Sequence, residues 1–255
     1  MVNIFEAILL AIVQGLTEWF PISSSGHLVI FQEFLSIQAS VAFDVMLHFG
    51  TFLSVLVYMR KDIVHILRAI LTLSEGSKIA AYLIAGSIPM ALIGFLFKNY
   101  FESLFSSLLT VGLALMMNGF VLYLTKYSVS FKKIDFINSL LVGIAQVFAI
   151  IPGISRSGST ISAAMIRGVD KESAYKYSFL LSAIAILGAS LFEFGDLDFA
   201  QTPTPIIFVA VCMSAIVGYV ALKITSTLVL KGDFYKFSYY CVILGAIVTA
   251  TTLLL

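Results

Sequence analysis

Six uninterrupted apolar stretches, at residues 41–59, 79–97, 106–125, 174–192, 205–226 and 237–255, are each long enough to cross a bilayer as a helix. That property limits what the chain can fold into. Hydrocarbon supplies no hydrogen-bond partners, so backbone inside it is either helical or part of a closed barrel. Barrel strands alternate apolar and polar residues, whereas these runs are apolar throughout and of helical length. The expected fold class is therefore an all-α polytopic membrane protein with six full spans. Composition agrees: of 255 residues 60% are hydrophobic and 11% charged, against about 25% charged in a soluble domain. A net charge of +1 gives no footing for nucleic acid, which is recognised through a basic patch. Cys212 and Cys241 lie inside spanning stretches and read as packing residues. The first apolar run, Ile4 to Leu16, contains Glu6, follows no basic residue and precedes no small-residue cleavage site, so it is expected to belong to the mature chain.

Two further apolar segments, 3–35 and 136–167, are interrupted by Pro and Gly. If each enters and leaves the bilayer on one side, as a re-entrant hairpin, the loops sort the charges sharply. One side collects Arg60, Lys61, Arg68, Lys78, Lys126, Lys132, Lys133, Arg167, Lys171, Lys176, Lys223, Lys231 and Lys236, which is 13 of the 15 Lys and Arg. The other side keeps Lys98, and Arg156 sits at membrane depth. Basic loops stay cytoplasmic, so a plasma-membrane protein with both termini outside is expected.

Shifting the chain by 132 residues lays Ile12-Val-Gln14 on Ile144-Ala-Gln146, Ile22-Ser23 on Ile154-Ser155 and Ser25-Gly26 on Ser157-Gly158. The chain reads as a duplication, with repeats at 1–130 and 131–255. Each half carries one hairpin and three spans. Three is odd, so the second half is expected to insert upside down, and sites in inverted repeats lie near the mid-plane where broken helices face each other.

The chemistry-bearing residues fall on the two hairpins. In the first, Gln14 and Glu18 share a helix face at i, i+4, Pro21 stops that helix, and Ser23, Ser24, Ser25 and Gly26 open a returning half-helix whose start suits an anion. His27 follows within reach of the same place. In the second, Pro152 and Gly153 make the break, and Ser155, Arg156, Ser157, Gly158, Ser159 and Thr160 open the half-helix. Arg156 stands opposite Ser24 in the repeat and offers forked donors to paired phosphate oxygens. Glu18 and His27 stand opposite Ile150 and Ser159, so acid/base groups belong to one hairpin and phosphate holding to the other. Buried ionisable residues in a membrane are costly and mark function, whereas any single serine serves equally well as a cap. Asp44 and His48, i, i+4 at the start of the first span, reach an outward vestibule or serve as a helix-start carboxylate and a core histidine. His65 reads as solvated, Asn118 as a helix–helix hydrogen bond, and Trp19 as a shield for Glu18 or a lipid-tail contact.

The string Gln14-x-x-x-Glu18 with Pro21-x-Ser-Ser-x-Gly26-His27, followed by Pro152-Gly-x-Ser-Arg156-Ser-Gly158, resembles the signature motifs of the BacA/UppP family of undecaprenyl-pyrophosphate phosphatases. The resemblance implies hydrolysis of a polyprenyl pyrophosphate to the monophosphate carrier lipid, with Glu18, Ser24, His27 and Arg156 carrying activity. It also implies a divalent cation, Mg²⁺ or Ca²⁺, at Glu18 and Gln14. An amide at Gln14 is a weaker ligand for such a cation than a carboxylate. Ser23, Ser25, Gly26, Ser155, Ser157, Gly158, Ser159 and Thr160 are expected around the phosphates, and Ser24, His27 or a water as the nucleophile. Access is expected from the outer face, and the small-residue face from Gly112 to Asn118 suits a homodimer. The alternative is a secondary transporter or polyprenyl-phosphate flippase of the same architecture.

Overall fold

The computed structural model describes residues 2–129, 131–193 and 203–254. Met1, Ser130 and Leu255, which the repeat and span boundaries include, lie outside the described residues. Those residues form twelve α-helices: α1 (Ile4–Trp19), α2 (Ser24–Phe34), α3 (Val41–Tyr58), α4 (Arg60–Leu71), α5 (Ser77–Leu96), α6 (Lys98–Leu104), α7 (Leu108–Leu124), α8 (Phe136–Phe148), α9 (Arg156–Ile166), α10 (Lys171–Glu193), α11 (Thr204–Lys231) and α12 (Phe237–Leu254). Six helical segments are long and apolar enough to span: Val41–Tyr58, Ser77–Leu96, Leu108–Tyr127, Lys171–Phe192, Thr204–Lys231 and Phe234–Leu254. They coincide with the six apolar stretches of the sequence, and the chain is a multi-pass membrane protein.

The first apolar segment divides into α1 and α2, of 16 and 11 residues, and the second into α8 and α9, of 13 and 11, each helix too short for a full span. Their starts are fixed locally. Asn3 caps α1 through its side-chain oxygen, which accepts from Phe5 N at 2.9 Å and Glu6 N at 3.0 Å, while Glu6 returns the bond to Asn3 N at 2.9 Å. This box accounts for a carboxylate in so apolar a run. Asp135 caps α8 in the same manner through Asn138 N at 2.7 Å. Beyond the sequence expectations, α4 adds an amphipathic helix after the first span, with Arg60, Lys61 and Arg68 beside exposed Val64, Leu67 and Leu71, a pattern suited to the membrane interface.

The helices interlock through glycine. In the first half α1 lies on α11, where a Cβ on Gly15 would stand 3.0 Å from Gly218 N. The corresponding first helix of the second half, α8, lies on α5, with Gly143 against the Gly86 carbonyl. α7 and α12 meet along their length: a Cβ on Gly112 would be 3.0 Å from Gly245 O, and one on Gly119 would be 2.9 Å from Ser238 O. Such contacts are the means by which helices in lipid approach closely. The face from Gly112 to Asn118 is thus occupied by α12 of the same chain, which removes the basis for expecting a second copy there.

On one end the loops touch. Lys132 and Val169, which flank the α8–α9 pair, form an isolated bridge, Lys133 pairs with Asp170 at 3.2 Å and Lys176 with Asp62 at 3.2 Å. The first two contacts join loops and the third joins α10 to α4, at positions that the charge pattern assigns to the same side. Replacing Gly143 with Val should cost about 1–3 kcal/mol by forcing α8 off α5, read as a lower thermal midpoint in detergent; an unchanged midpoint would contradict this packing.

Candidate active site

The two serine turns touch. Ser23, the N-cap of α2, holds φ of 69°, a conformation that non-glycine residues rarely keep without support from their surroundings. Its Oγ accepts from Gly26 N at 3.2 Å within its own turn and from Gly153 N at 3.0 Å in the other. Gly153 has φ of 104°, open to glycine alone, and a Cβ on Gly26 would lie 3.0 Å from its Cα. Ser155 caps α9 in the same manner, accepting from Gly158 N at 3.0 Å. Ser157 Oγ donates to Phe20 O at 3.3 Å, at the end of α1. Asn118 of α7 then joins the two turns: its Nδ2 donates to Pro21 O at 2.8 Å and its Oδ1 accepts from Ser155 N at 3.2 Å.

This clamp brings four elements to Glu18. The carboxylate is 3% exposed. Its Oε2 accepts from Ser24 Oγ at 2.6 Å and from Gln14 Nε2 at 3.0 Å, the i, i+4 partner expected from the sequence. Its Oε1 stands 3.3 Å from an Arg156 nitrogen, and the other Arg156 terminal nitrogen donates to Ser182 O of α10 at 3.2 Å. His48 of α3 completes the ring, with Nε2 3.4 Å from Oε2. A buried carboxylate is tolerable only when paired and hydrogen-bonded, and here the pairing cation comes from the opposite half. His48 and Arg156 are the more exposed members, at 19% and 16%, so an anion arriving at the cluster meets two cationic or potentially cationic groups before the carboxylate.

The remaining expected residues divide by task. The hydroxyls of Ser23, Ser25, Ser155 and Ser157 hold the turns, with Ser23 and Ser25 3.3 Å apart and Ser155 and Ser157 3.1 Å apart. Ser159 donates to Ser155 O at 2.8 Å and Thr160 to Arg156 O at 2.7 Å. Gly26 and Gly158 provide close approach. His27 is not brought to Glu18: its Nδ1 meets Ser23 O at 2.7 Å and its Nε2 meets Tyr240 OH at 2.8 Å. Trp19 is fully buried, donating to Ser54 Oγ at 3.1 Å and set edge-on to Phe179, so it packs the core. Asp44 accepts from Gln32 Nε2 at 2.9 Å through each oxygen, and its backbone carbonyl binds His48 Nδ1 at 2.8 Å. His48 was legible only as the i, i+4 partner of Asp44, and nothing in the sequence singled out Tyr240.

The donor set for a divalent cation is sparse. Among the described residues no group of three or more His, Cys, Asp and Glu gathers as a metal site. Glu18 is the carboxylate in the cluster, and beside it Gln14 Oε1 is buried with no hydrogen-bond partner among the described residues. One carboxylate and one vacant amide oxygen fit a cation that brings most of its ligands with a phosphate, as Mg²⁺ commonly does; they do not form an all-protein cage.

Comparison with known proteins matches residues 7–247 to the family model described as "Bacitracin resistance protein BacA". Relatives named undecaprenyl-diphosphatase are similar to the chain over nearly its whole length. That of Halothermothrix orenii is 44% identical, covering 96% of this chain and 97% of its own. Those of Korarchaeum cryptofilum, at 39% over 95% and 97%, and Methanosphaera stadtmanae, at 35% over 97% of each, match likewise.

Replacing Asn118 with Leu removes the amide that joins the turns without emptying its space. Each backbone group left without its partner should cost about 1–3 kcal/mol, measured as a fall in unfolding free energy in detergent. A midpoint equal to that of the parent would show that the turns hold together without it.

Proposed function

The chain belongs to the BacA family, and on that premise we propose that the Glu18 cluster is the active site of an undecaprenyl-diphosphatase. The protein is an integral membrane hydrolase that removes the terminal phosphate of undecaprenyl diphosphate and leaves the monophosphate carrier lipid. The observation that carries the site assignment is the convergence of Ser24 and Glu18 from one turn with Arg156 from the other. The transporter or flippase alternative finds no support beside it: the relatives bear the name of a hydrolase.

The chemistry follows from the contacts. Arg156 is anchored at one nitrogen by Ser182 O and faces Glu18 with the other, so a diphosphate can displace the carboxylate and take the forked donors. Ser24 is already hydrogen-bonded to Glu18, which supports the reading of Ser24 as the nucleophile and Glu18 as its base. The Ser24 Oγ–phosphorus bond forms, the bond from that phosphorus to the bridging oxygen breaks, and the serine proton passes to Glu18. The prenyl monophosphate leaves with the bridging oxygen, and water then cleaves the phosphoserine. His48, beside Glu18 and partly exposed, can carry the proton onward. Glu18 and Gln14 Oε1 would hold a Mg²⁺ or Ca²⁺ brought with the substrate. Such an ion offsets charge building on the phosphoryl oxygens.

Within the plasma membrane the pairs α1–α2 and α8–α9 are read as re-entrant hairpins of inverted repeats, 1–130 and 131–255. The bridge between Lys132 and Val169 supports this, since it joins the two ends of the second pair. Access from the outer face is supported by partly exposed His48 in the first half of α3, the end that the charge bias turns outward. A homodimer would pair through a face other than Gly112 to Asn118.

Phosphate release from undecaprenyl diphosphate in detergent, where no vectorial movement occurs, tests the assignment. Glu18→Gln, Ser24→Ala and Arg156→Ala should each lower kcat/KM by about 100-fold or more. Near-normal release from any one would remove that residue from the site.

A further inference from the structure

The two half-helices end their first turns with the same bond and one difference. In α9, Ser159 Oγ donates to the N-cap carbonyl, Ser155 O, at 2.8 Å. In α2, His27 Nδ1 makes the equivalent bond to Ser23 O at 2.7 Å. A carbonyl oxygen only accepts, so Nδ1 carries the proton, and in the neutral ring Nε2 is left as the acceptor. What histidine adds over the serine of the other half is therefore one basic nitrogen. That nitrogen receives the Tyr240 hydroxyl of α12 at 2.8 Å, and the two rings lie 5.8 Å apart and 8° from parallel. The pair sits in a cleft of about 600 Å³, walled by apolar side chains such as Leu16, Phe20, Phe31 and Phe237 and ending at Asp233 and Lys236.

An imidazole nitrogen in an apolar cleft has few alternative donors, and an acceptor left unmade there is costly. Without the tyrosine hydroxyl the ring would gain by exchanging its tautomer or turning to another rotamer. We infer that Tyr240 is a positioning residue for the phosphatase reaction: its hydroxyl fixes His27 as the Nδ1–H tautomer and holds Nε2 at the wall of the apolar cleft. This rests on the phosphatase reading above. Tyr240 acts through His27, which the family resemblance counts among the activity-bearing residues, and not on the phosphate, which separates its effect from that of Arg156 or Ser24.

The test is the kinetics of Tyr240→Phe, made in the parent and in a His27→Gln background, together with NMR of the ring nitrogens in isotope-labelled histidine. Phenylalanine keeps the stacked ring and removes only the hydroxyl. In the parent, kcat should fall roughly three- to tenfold, the equivalent of one neutral hydrogen bond, with KM changed by less than about twofold. In the His27→Gln background the same change should alter release by less than about twofold, because residues that act as one unit are not additive. Equal losses in both backgrounds, or no loss in the parent, would overturn the inference. The NMR arm needs no activity: the parent should show His27 with a protonated Nδ1 and a hydrogen-bonded, bare Nε2, and Tyr240→Phe should diminish that form. A His27 proton found on Nε2 in the parent would overturn the inference even where phosphate release behaves as expected. A parent that releases no phosphate would instead count against the phosphatase reading and leave the tautomer to decide the role of Tyr240.

Discussion

A backbone that unwinds inside hydrocarbon must find partners for every polar group it releases, because no water is there to take them. The helical pairs of this chain break at Phe20 to Ser23 and at Ala149 to Ser155, and beside bonds within each turn the two breaks are tied to each other and to α7. Ser23 accepts from Gly153 N, Ser157 donates to Phe20 O, and Asn118 serves Pro21 O and Ser155 N at once. The meeting of the turns is thus a condition of the fold before it is a feature of the site. Once the turns are held face to face, whatever residues stand beside them are held as well, and Glu18 and Arg156 are fixed across the junction at 3.3 Å.

The two turns share their structural parts and differ in chemistry, which makes the site lopsided. Both halves keep the structural parts: a capping serine, a second serine sharing its hydroxyl, a glycine at the close approach and an i−4 bond to the N-cap carbonyl. Both also keep a fully buried glutamine, but Gln14 finds Glu18, whereas the Gln146 amide has no hydrogen-bond partner among the described residues. The difference lies in the chemistry-bearing positions. There, one half holds carboxylate, hydroxyl and imidazole, and the other holds guanidinium. Pairing across the two turns makes a buried carboxylate and a partly buried cation tolerable in a membrane.

Much of this was legible in the sequence because the signals are local. Span length and apolarity gave the six crossings, Pro and Gly marked the breaks, and the 132-residue shift laid one serine turn on the other. The Gln14–Glu18 contact followed from i, i+4 spacing, and the opposition of Ser24 and Arg156 from alignment of the halves. What stayed hidden depends on partners distant in the chain. Tyr240 is 213 residues from His27, so no spacing rule connects them. His48 looked equally like a core histidine because the rotation of α3 that turns it onto Glu18 is set by packing against α11 and α10. The phosphate-binding role expected of the flanking serines met a competing demand: their hydroxyls are taken by the turns themselves.

The central claim is that Glu18 of one half and Arg156 of the other form one energetic unit at the junction of the turns. A double-mutant cycle with Glu18→Gln and Arg156→Gln, followed by unfolding free energy in detergent, measures it without requiring activity. Removing either partner strands a buried charge, so each single change should be destabilising and the double change clearly less so than their sum, with a coupling of about 1 kcal/mol or more. Effects that add to within about 0.3–0.5 kcal/mol would contradict the account, because they would mean that the two turns do not share a site.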